Sequence, residues 1–168
     1  MSEQGNGKPA GEIRVKVADY AVAQAGDTLV TIGLGSCVAI MLHDATAKIG
    51  ALAHILLPSE GLSRDADNHA KFATTAVPLL LDAMRKKGAR GRITAKIAGG
   101  ASMFGNLLPS GGINMGERNV ESVKAALKQH EIPLVADDTG RDYGRTVYFD
   151  VATGKVRVRS LKVGDREL

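Results

Sequence analysis

The sequence is poor in cysteine and in aromatic side chains. One cysteine stands among 168 residues, tryptophan is absent, and aromatic residues make up 4% of the chain. A lone cysteine excludes an internal disulfide, and the shortage of aromatics leaves Val, Ile, Leu, Ala and Met to build the core. No apolar run approaches the roughly 18–20 residues that span a bilayer, and no basic-then-apolar leader opens the sequence. We therefore expect a cytoplasmic protein without membrane insertion.

A strong charge of one sign is also lacking. The formal net charge is +4, and the basic residues are spread along the chain, with small groups at 85–87 and 90–92. Because no aromatic residues alternate with these groups, a solvated basic rim is favoured over a groove for RNA or DNA. A modestly positive surface is compatible with an acidic protein partner.

The length suits one domain, which at 168 residues can bury about 70% of its extended-chain surface. Residues 1–11 are polar and glycine-rich, so we predict a disordered N-terminal segment there. Neither an internal repeat nor a low-complexity segment divides the remainder. Residues 12–168 are therefore predicted to form a single domain.

Short β-branched runs surround two helical stretches. Apolar positions recur at three- or four-residue spacing from 66 to 84, which predicts a helix that Pro78 should kink or divide. Asn114 followed by Glu117 has capping-box spacing and predicts the start of a second helix. The other runs predict strands at 13–17, 28–32, 36–43, 48–57, 92–98, 132–135, 145–151 and 155–161. This order indicates an α+β fold, a layered sandwich of mixed or antiparallel β-sheet with flanking helices.

The cysteine lies in the first of two apolar runs that a short polar turn connects. Cys37 follows a glycine-rich turn, and His54 comes seventeen residues later in the second run. A loop of two or four residues centred on 44–47 pairs Cys37 directly with His54, with Cβ atoms roughly 4.5–5.5 Å apart. A loop with an odd number of residues would instead turn His54 to the opposite face of the sheet.

A thiol held beside an imidazole is a candidate nucleophile. An imidazolium stabilises the thiolate, and the histidine can then protonate a leaving amine and activate water. Thr31 could orient the ring, and backbone N–H groups near Ser36 and Cys37 could receive an oxyanion, because glycines such as Gly35 let a substrate approach closely. The structural alternative is that the cysteine is buried filler and the histidine a satisfied core residue.

A zinc site made of Cys37, His43, His54 and His69 is disfavoured by distance. His43 lies six residues from Cys37 along the strand, about 20 Å away at roughly 3.3 Å per residue. His69 falls at the start of the predicted helix. We therefore expect no metal and no other cofactor.

Further segments follow in a specific order. TIGLGSCV occupies 31–38, KF at 71–72 leads into AVPLLL at 76–81, KIAGGA occupies 96–101, and INMGERNV occupies 113–120. Together with the histidine seventeen residues after the cysteine, these segments resemble the CheD family of chemoreceptor glutamine deamidases. The resemblance extends from about residue 13 to residue 161. The family often has Lys-Tyr where this chain has Lys71-Phe72.

The resemblance implies that Cys37, His54 and Thr31 are the catalytic residues. We further assign Gly35, Ser36, Gly99 and Gly100 to the vicinity of the substrate and the oxyanion. The loop that follows Gly99 and Gly100 either joins a strand to a helix or contacts the receptor.

The activity implied is that of a protein-glutamine glutaminase. Selected glutamines of methyl-accepting chemotaxis receptors would become glutamates through a cysteine thioester, without a cofactor. Family members also act on glutamyl methyl esters, and some bind a CheC-type phosphatase. The implied fold resembles that of deamidases of the cytotoxic necrotizing factor type.

Two other functions stay open at this point. The chain could be a non-catalytic chemotaxis adaptor that docks on a receptor or on a CheC-type phosphatase. It could also be a thiol hydrolase of a small amide.

Overall fold

A computed structural model of the protein describes residues 11–103 and 114–168. Over these ranges the chain forms ten strands and two α-helices. The helices are α1 (Ala73–Lys86) and α2 (Met115–Gln129). The strands are β1 (Gly11–Arg14), β2 (Tyr20–Gln24), β3 (Asp27–Leu34), β4 (Val38–Asp44), β5 (Ile49–Ile55), β6 (Ile93–Gly99), β7 (Leu134–Thr139), β8 (Arg145–Asp150), β9 (Val156–Ser160) and β10 (Gly164–Glu167).

The strands form two mixed sheets of five strands each. The outer sheet has the order β1-β3-β8-β9-β10, and the central sheet has the order β2-β5-β4-β6-β7. The pairs β1–β3 and β6–β7 are parallel, and the other neighbours are antiparallel. The predicted α+β fold with mixed sheets and helices is confirmed.

The fold has three layers, namely the helices, the central sheet and the outer sheet, with one apolar cluster between each adjacent pair. One cluster lies between the two sheets and includes Leu29, Met41, Leu52 and Phe149. The other lies between the central sheet and both helices and includes Ile40, Leu80 and Val123. Because side chains of a strand alternate between faces, successive residues of β4 and β5 enter the two clusters in turn. The central sheet is therefore covered on both sides.

Two edge strands were not predicted. β2 and β10 lie at sheet edges, and every residue of β10 is exposed. Their sequences carry little of the apolar alternation that predicted the other strands. Backbone pairing to one neighbour is enough to hold such an edge strand in place. β1 starts at Gly11, the last residue of the segment that was predicted to be disordered. Residues 1–10 of the predicted disordered segment lie outside the described residues.

The first helix differs from the prediction in its start and in its continuity. α1 begins at Ala73 and runs through Pro78 without division. Proline removes a single backbone N–H from the helix, while the buried face of α1 continues from Ala76 to Leu80 and Met84. Packing of that face against the central sheet keeps the helix intact.

The predicted cap of the second helix is confirmed. The Asn114 side chain accepts a hydrogen bond from the Glu117 backbone N–H at 3.0 Å, directly before α2. In the part of the chain that the structure describes, neither helix has the length and apolar character needed to cross a membrane.

Candidate active site

The hairpin formed by β4 and β5 brings the cysteine and the histidine to one end of the central sheet. Ala39 pairs with His54, and Asp44 pairs with Ile49 across a four-residue loop. Cys37 immediately precedes β4. The predicted direct pairing of Cys37 with His54 is therefore wrong by two residues.

The two-residue shift leaves both side chains on the same face. Side chains along a strand repeat with a period of two, so Cys37 and Ala39 both face the cluster between the sheets. His54 is the partner of Ala39 and faces the same side. Diagonal neighbours of this kind are about 7–8 Å apart in a regular antiparallel ladder. The thiol and the imidazole thus lie on the same face near one end of the central sheet, without a hydrogen bond from the thiol to His54 Nε2.

Thr31 reaches His54 from the other sheet. Its hydroxyl oxygen lies 2.7 Å from His54 Nδ1 and donates to the Val15 carbonyl oxygen, also at 2.7 Å. A hydroxyl has a single proton, so the Thr31 oxygen must accept from an N–H at Nδ1. This argument assigns the proton of the neutral ring to Nδ1 and leaves Nε2 as the basic nitrogen.

Burial determines the charge state of the pair. His54 is 2% exposed, and burial lowers its pKa to about 4. Burial also raises the pKa of the Cys37 thiol, against a smaller lowering by its own backbone N–H. At neutral pH the resting pair is therefore a neutral imidazole and a protonated thiol. The space between the sheets disfavours both an imidazolium and a thiolate.

His54 Nε2 is buried and has no hydrogen-bond partner among the residues that the structure describes. A buried, unpartnered polar atom costs free energy, and such atoms are often found at functional sites. An unprotonated nitrogen on the same face of the sheet as a thiol is suited to accept its proton once the two groups come within hydrogen-bond distance. The geometry therefore supports a general base better than a purely structural histidine.

Hydrogen bonds to two backbone carbonyl oxygens hold the segment before Cys37 in place. β3 has an irregular register between Thr31 and Leu34, after which the chain turns toward β4. The Gly35 carbonyl oxygen accepts from the Ala101 N–H at 2.9 Å. The Ser36 carbonyl oxygen accepts from Asn119 Nδ2, also at 2.9 Å.

Anchored carbonyl groups orient the N–H groups that follow them. In a trans peptide the N–H points opposite to the preceding carbonyl. The N–H groups of Ser36 and Cys37 therefore point away from Ala101 and Asn119. These are the two donors that the sequence suggested for an oxyanion.

Gly99, the last residue of β6, and Gly100, which follows it, both contact the Cys37 backbone. The Gly100 N–H donates to the Cys37 carbonyl oxygen at 2.8 Å, so this N–H anchors the Cys37 backbone and is not a free donor. Gly99 has a φ of +114°, and a Cβ at this position would collide with the same carbonyl oxygen. Their predicted proximity to the substrate stays a prediction.

One residue of this region, Asn119, was missed by the reasoning from sequence. Its side chain is 0% exposed and contacts the segment before Cys37 from α2. A buried asparagine cannot be recognised from its position in a helix. The signal that could have found it is its place in the segment 113–120.

His43 and His69, the other two histidines of the zinc hypothesis, do not join Cys37 and His54 in a metal-binding group among the described residues. His43 Nε2 hydrogen-bonds the Val151 carbonyl oxygen at 2.7 Å, and His69 is exposed. Within the described ranges, no three side chains of His, Cys, Asp or Glu are grouped to hold a metal ion.

Comparisons with known proteins agree on one family. The family described as CheD chemotactic sensory transduction matches residues 56–160. A protein of Syntrophomonas wolfei named probable chemoreceptor glutamine deamidase CheD is 46% identical over 155 residues, which cover 92% of this chain and 96% of the relative. Relatives with the same name from Clostridium novyi and Clostridium botulinum are 45% and 44% identical over 158 residues, or 94% of this chain and 98% of each relative.

Proposed function

Because this chain belongs to the CheD family, we propose that it is a chemoreceptor glutamine deamidase in which Cys37 is the nucleophile. His54 acts as general base and acid, and Thr31 orients it. The observation that carries this assignment is the 2.7 Å contact between the Thr31 hydroxyl and His54 Nδ1. That contact leaves Nε2 free to exchange protons on the side of the thiol.

The first half of the reaction forms a thioester. His54 Nε2 takes the thiol proton as the Cys37 sulfur attacks the carbon of a glutamine carboxamide. The N–H groups of Ser36 and Cys37 stabilise the negative charge that develops on the carboxamide oxygen. When the tetrahedral intermediate collapses, the C–N bond breaks, and His54 gives its proton to the departing ammonia.

The second half releases glutamate. His54, neutral again, removes a proton from a water molecule that attacks the thioester carbon. The C–S bond then breaks, and the thiolate recovers a proton from the imidazolium. Because Thr31 accepts from Nδ1 throughout, every proton transfer passes through Nε2.

The direct test is incubation of the purified protein with the cytoplasmic domain of a chemoreceptor. We expect release of ammonia and a mass increase of about one unit in selected glutamine peptides, since –NH2 is replaced by –OH. Free glutamine serves as the control substrate and should not turn over. Receptor binding without ammonia release would support the adaptor, and turnover of free glutamine would support a small-amide hydrolase.

The buried histidine predicts an unusual pH dependence. With a pKa of about 4 for His54, roughly 90% of the base is unprotonated at pH 5, against about 3% for a histidine with a pKa near 6.5. We therefore expect kcat/KM at pH 5 to stay close to its value at pH 7. Initial rates measured from pH 4.5 to pH 8 check this, and an acid limb centred near pH 6.5 would contradict it.

Stability should change over the same pH range. The folded-state pKa lies below the unfolded value, so the unfolded chain binds a proton first as pH falls. The contribution of neutral His54 to the free energy of unfolding is complete above about pH 6.5 and is lost as the pH falls toward 4. This contribution is at most about 3 kcal/mol. Urea unfolding of the wild-type protein and of His54→Gln at pH 7 and pH 5 isolates this contribution, because the variant lacks the titrating group.

Two finer points rest on the family resemblance. The layering of helices, central sheet and outer sheet supports a likeness to deamidases of the cytotoxic necrotizing factor type, which stays a prediction. A CheC-type phosphatase as a regulatory partner also stays a prediction. Co-elution of the two purified proteins in gel filtration would support that partner, and separate elution would argue against it.

A further inference from the structure

Asn119 on α2 joins the two chain segments that carry the proposed nucleophile and base. Its Nδ2 donates to the Ser36 carbonyl oxygen at 2.9 Å and to the Leu56 carbonyl oxygen at 3.1 Å. Ser36 precedes Cys37, and Leu56 follows His54 by two residues. Both protons of one amide group are therefore used within two residues of the candidate catalytic side chains.

The two hydrogen bonds lie where β4 and β5 separate. Their last pair in this direction is Val38 with Ile55, and the next pair would join Cys37 to Leu56. Instead, Cys37 accepts from the Gly100 N–H at 2.8 Å, and the Leu56 N–H donates to the Lys71 carbonyl oxygen at 2.8 Å. Asn119 bridges the gap that opens between the strand ends.

The chemistry of the gap requires an amide in one orientation. Both neighbours are carbonyl oxygens, so the nitrogen of the Asn119 side chain must face them. Its Oδ1 is buried without a hydrogen-bond partner among the described residues. The orientation of the Asn119 side chain thus allows both of its N–H groups to donate, and leaves its oxygen without a donor among the described residues.

We propose that Asn119 is a positioning residue, which sets the spacing between the Cys37 segment and the His54 strand and aims the Cys37 N–H at the substrate. The inference rests on the proposed function. The Ser36 carbonyl and the Cys37 N–H belong to the same peptide plane, so anchoring the first directs the second. The Leu56 carbonyl fixes the end of the strand on which His54 stands.

The same helix offers a matched control. The Ser122 hydroxyl donates to the Pro58 carbonyl oxygen at 3.0 Å, two residues beyond Leu56. This bond also ties α2 to the segment after β5, but it does not contact the Cys37 segment. A role in stability alone would make Ser122→Ala and Asn119→Ala behave alike once their stabilities are taken into account.

The test compares both variants in receptor deamidation and in alkylation of Cys37 by iodoacetamide. We expect Asn119→Ala to lower kcat about 30-fold with KM within about threefold, because small displacements of reacting groups are costly. We expect Ser122→Ala to stay within about threefold in both constants. Alkylation at pH 7.5 should be at least about fivefold faster in Asn119→Ala than in Ser122→Ala, because the freed segment exposes the thiol.

A second variant covers a failure of Asn119→Ala to fold. Asn119→Asp can donate one hydrogen bond only when its carboxyl group is protonated. We expect this variant to recover part of its kcat at about pH 5 and to lose that activity as the pH rises. A flat profile, or a loss of kcat that follows urea stability equally at Asn119 and Ser122, overturns the proposal.

The two proposals fail in different ways. A wild-type protein that never deamidates receptor overturns the proposed function, whereas the alkylation comparison does not depend on any substrate. Equal alkylation rates in Asn119→Ala and Ser122→Ala would overturn the positioning role even in an active deamidase.

Discussion

Cys37→Ala is expected to abolish glutamine deamidation, with kcat lowered by at least about 10⁴-fold. The chain has no second cysteine that could replace the nucleophile, so thioester formation is lost. Ammonia release from a receptor cytoplasmic domain, with mass spectrometry of the glutamine peptides, measures the effect. The alanine loses only a sulfur atom at the edge of the cluster between the sheets.

The fold provides the control for this variant. We expect the free energy of unfolding in urea to change by no more than about 1–2 kcal/mol, because the substitution removes a single sulfur atom from a small buried side chain. Full activity of Cys37→Ala would refute the nucleophile. A normal chemotaxis phenotype combined with lost chemistry would instead identify the protein as an adaptor.

His54→Gln is expected to lower kcat about 10³-fold, within the range found for the loss of a general acid–base group. Glutamine can still hydrogen-bond Thr31 and fills much of the same volume, but it cannot exchange a proton with Cys37. The same receptor assay measures the loss, and His69→Gln is the matched control because that histidine is exposed.

Alkylation of Cys37 separates two explanations for the loss in His54→Gln. Burial raises the pKa of this thiol, so the pH midpoint of its reaction with iodoacetamide should lie above the ordinary value in the wild type and stay there in the variant. A wild-type midpoint well below about 8.5 that rises in His54→Gln would mean that the histidine stabilises a resting thiolate. That outcome would contradict the neutral pair described here.

The face shared by Cys37 and His54 could be predicted from sequence, whereas their register could not. Any loop with an even number of residues keeps the two side chains on one face. The loop is set by Asp44, whose carboxylate accepts from the Thr46 and Ala47 N–H groups at 3.0 Å and from the Gly91 N–H at 2.8 Å. Gly91 lies far along the chain, so a local turn pattern did not contain the information that selected the four-residue loop.

The charge state of His54 and the contacts of Asn119 likewise could not be predicted from the sequence. The low pKa of His54 follows from enclosure between two sheets, and a motif gives the residue type but not its solvent exposure. Asn119 depends on where α2 crosses the ends of β4 and β5. The contact of Thr31 with His54, by contrast, agrees with the resemblance, although the bond of Thr31 to Val15, which determines the ring tautomer, could not be predicted.

His54, the proposed base, and Thr31, whose hydroxyl contacts it, belong to different layers of the sandwich. A sliding of the outer sheet over the central sheet by about 1 Å would break the 2.7 Å contact between Thr31 and His54 while leaving both sheets intact, and such displacements are enough to slow catalysis greatly. The imidazole could then move its proton to Nε2, which transfers the basic position to Nδ1, on the Thr31 side of the ring. On warming, we therefore expect turnover to fall before the circular dichroism signal of the strands does. The enzymatic rate is then the more sensitive measure of the packing between the two sheets.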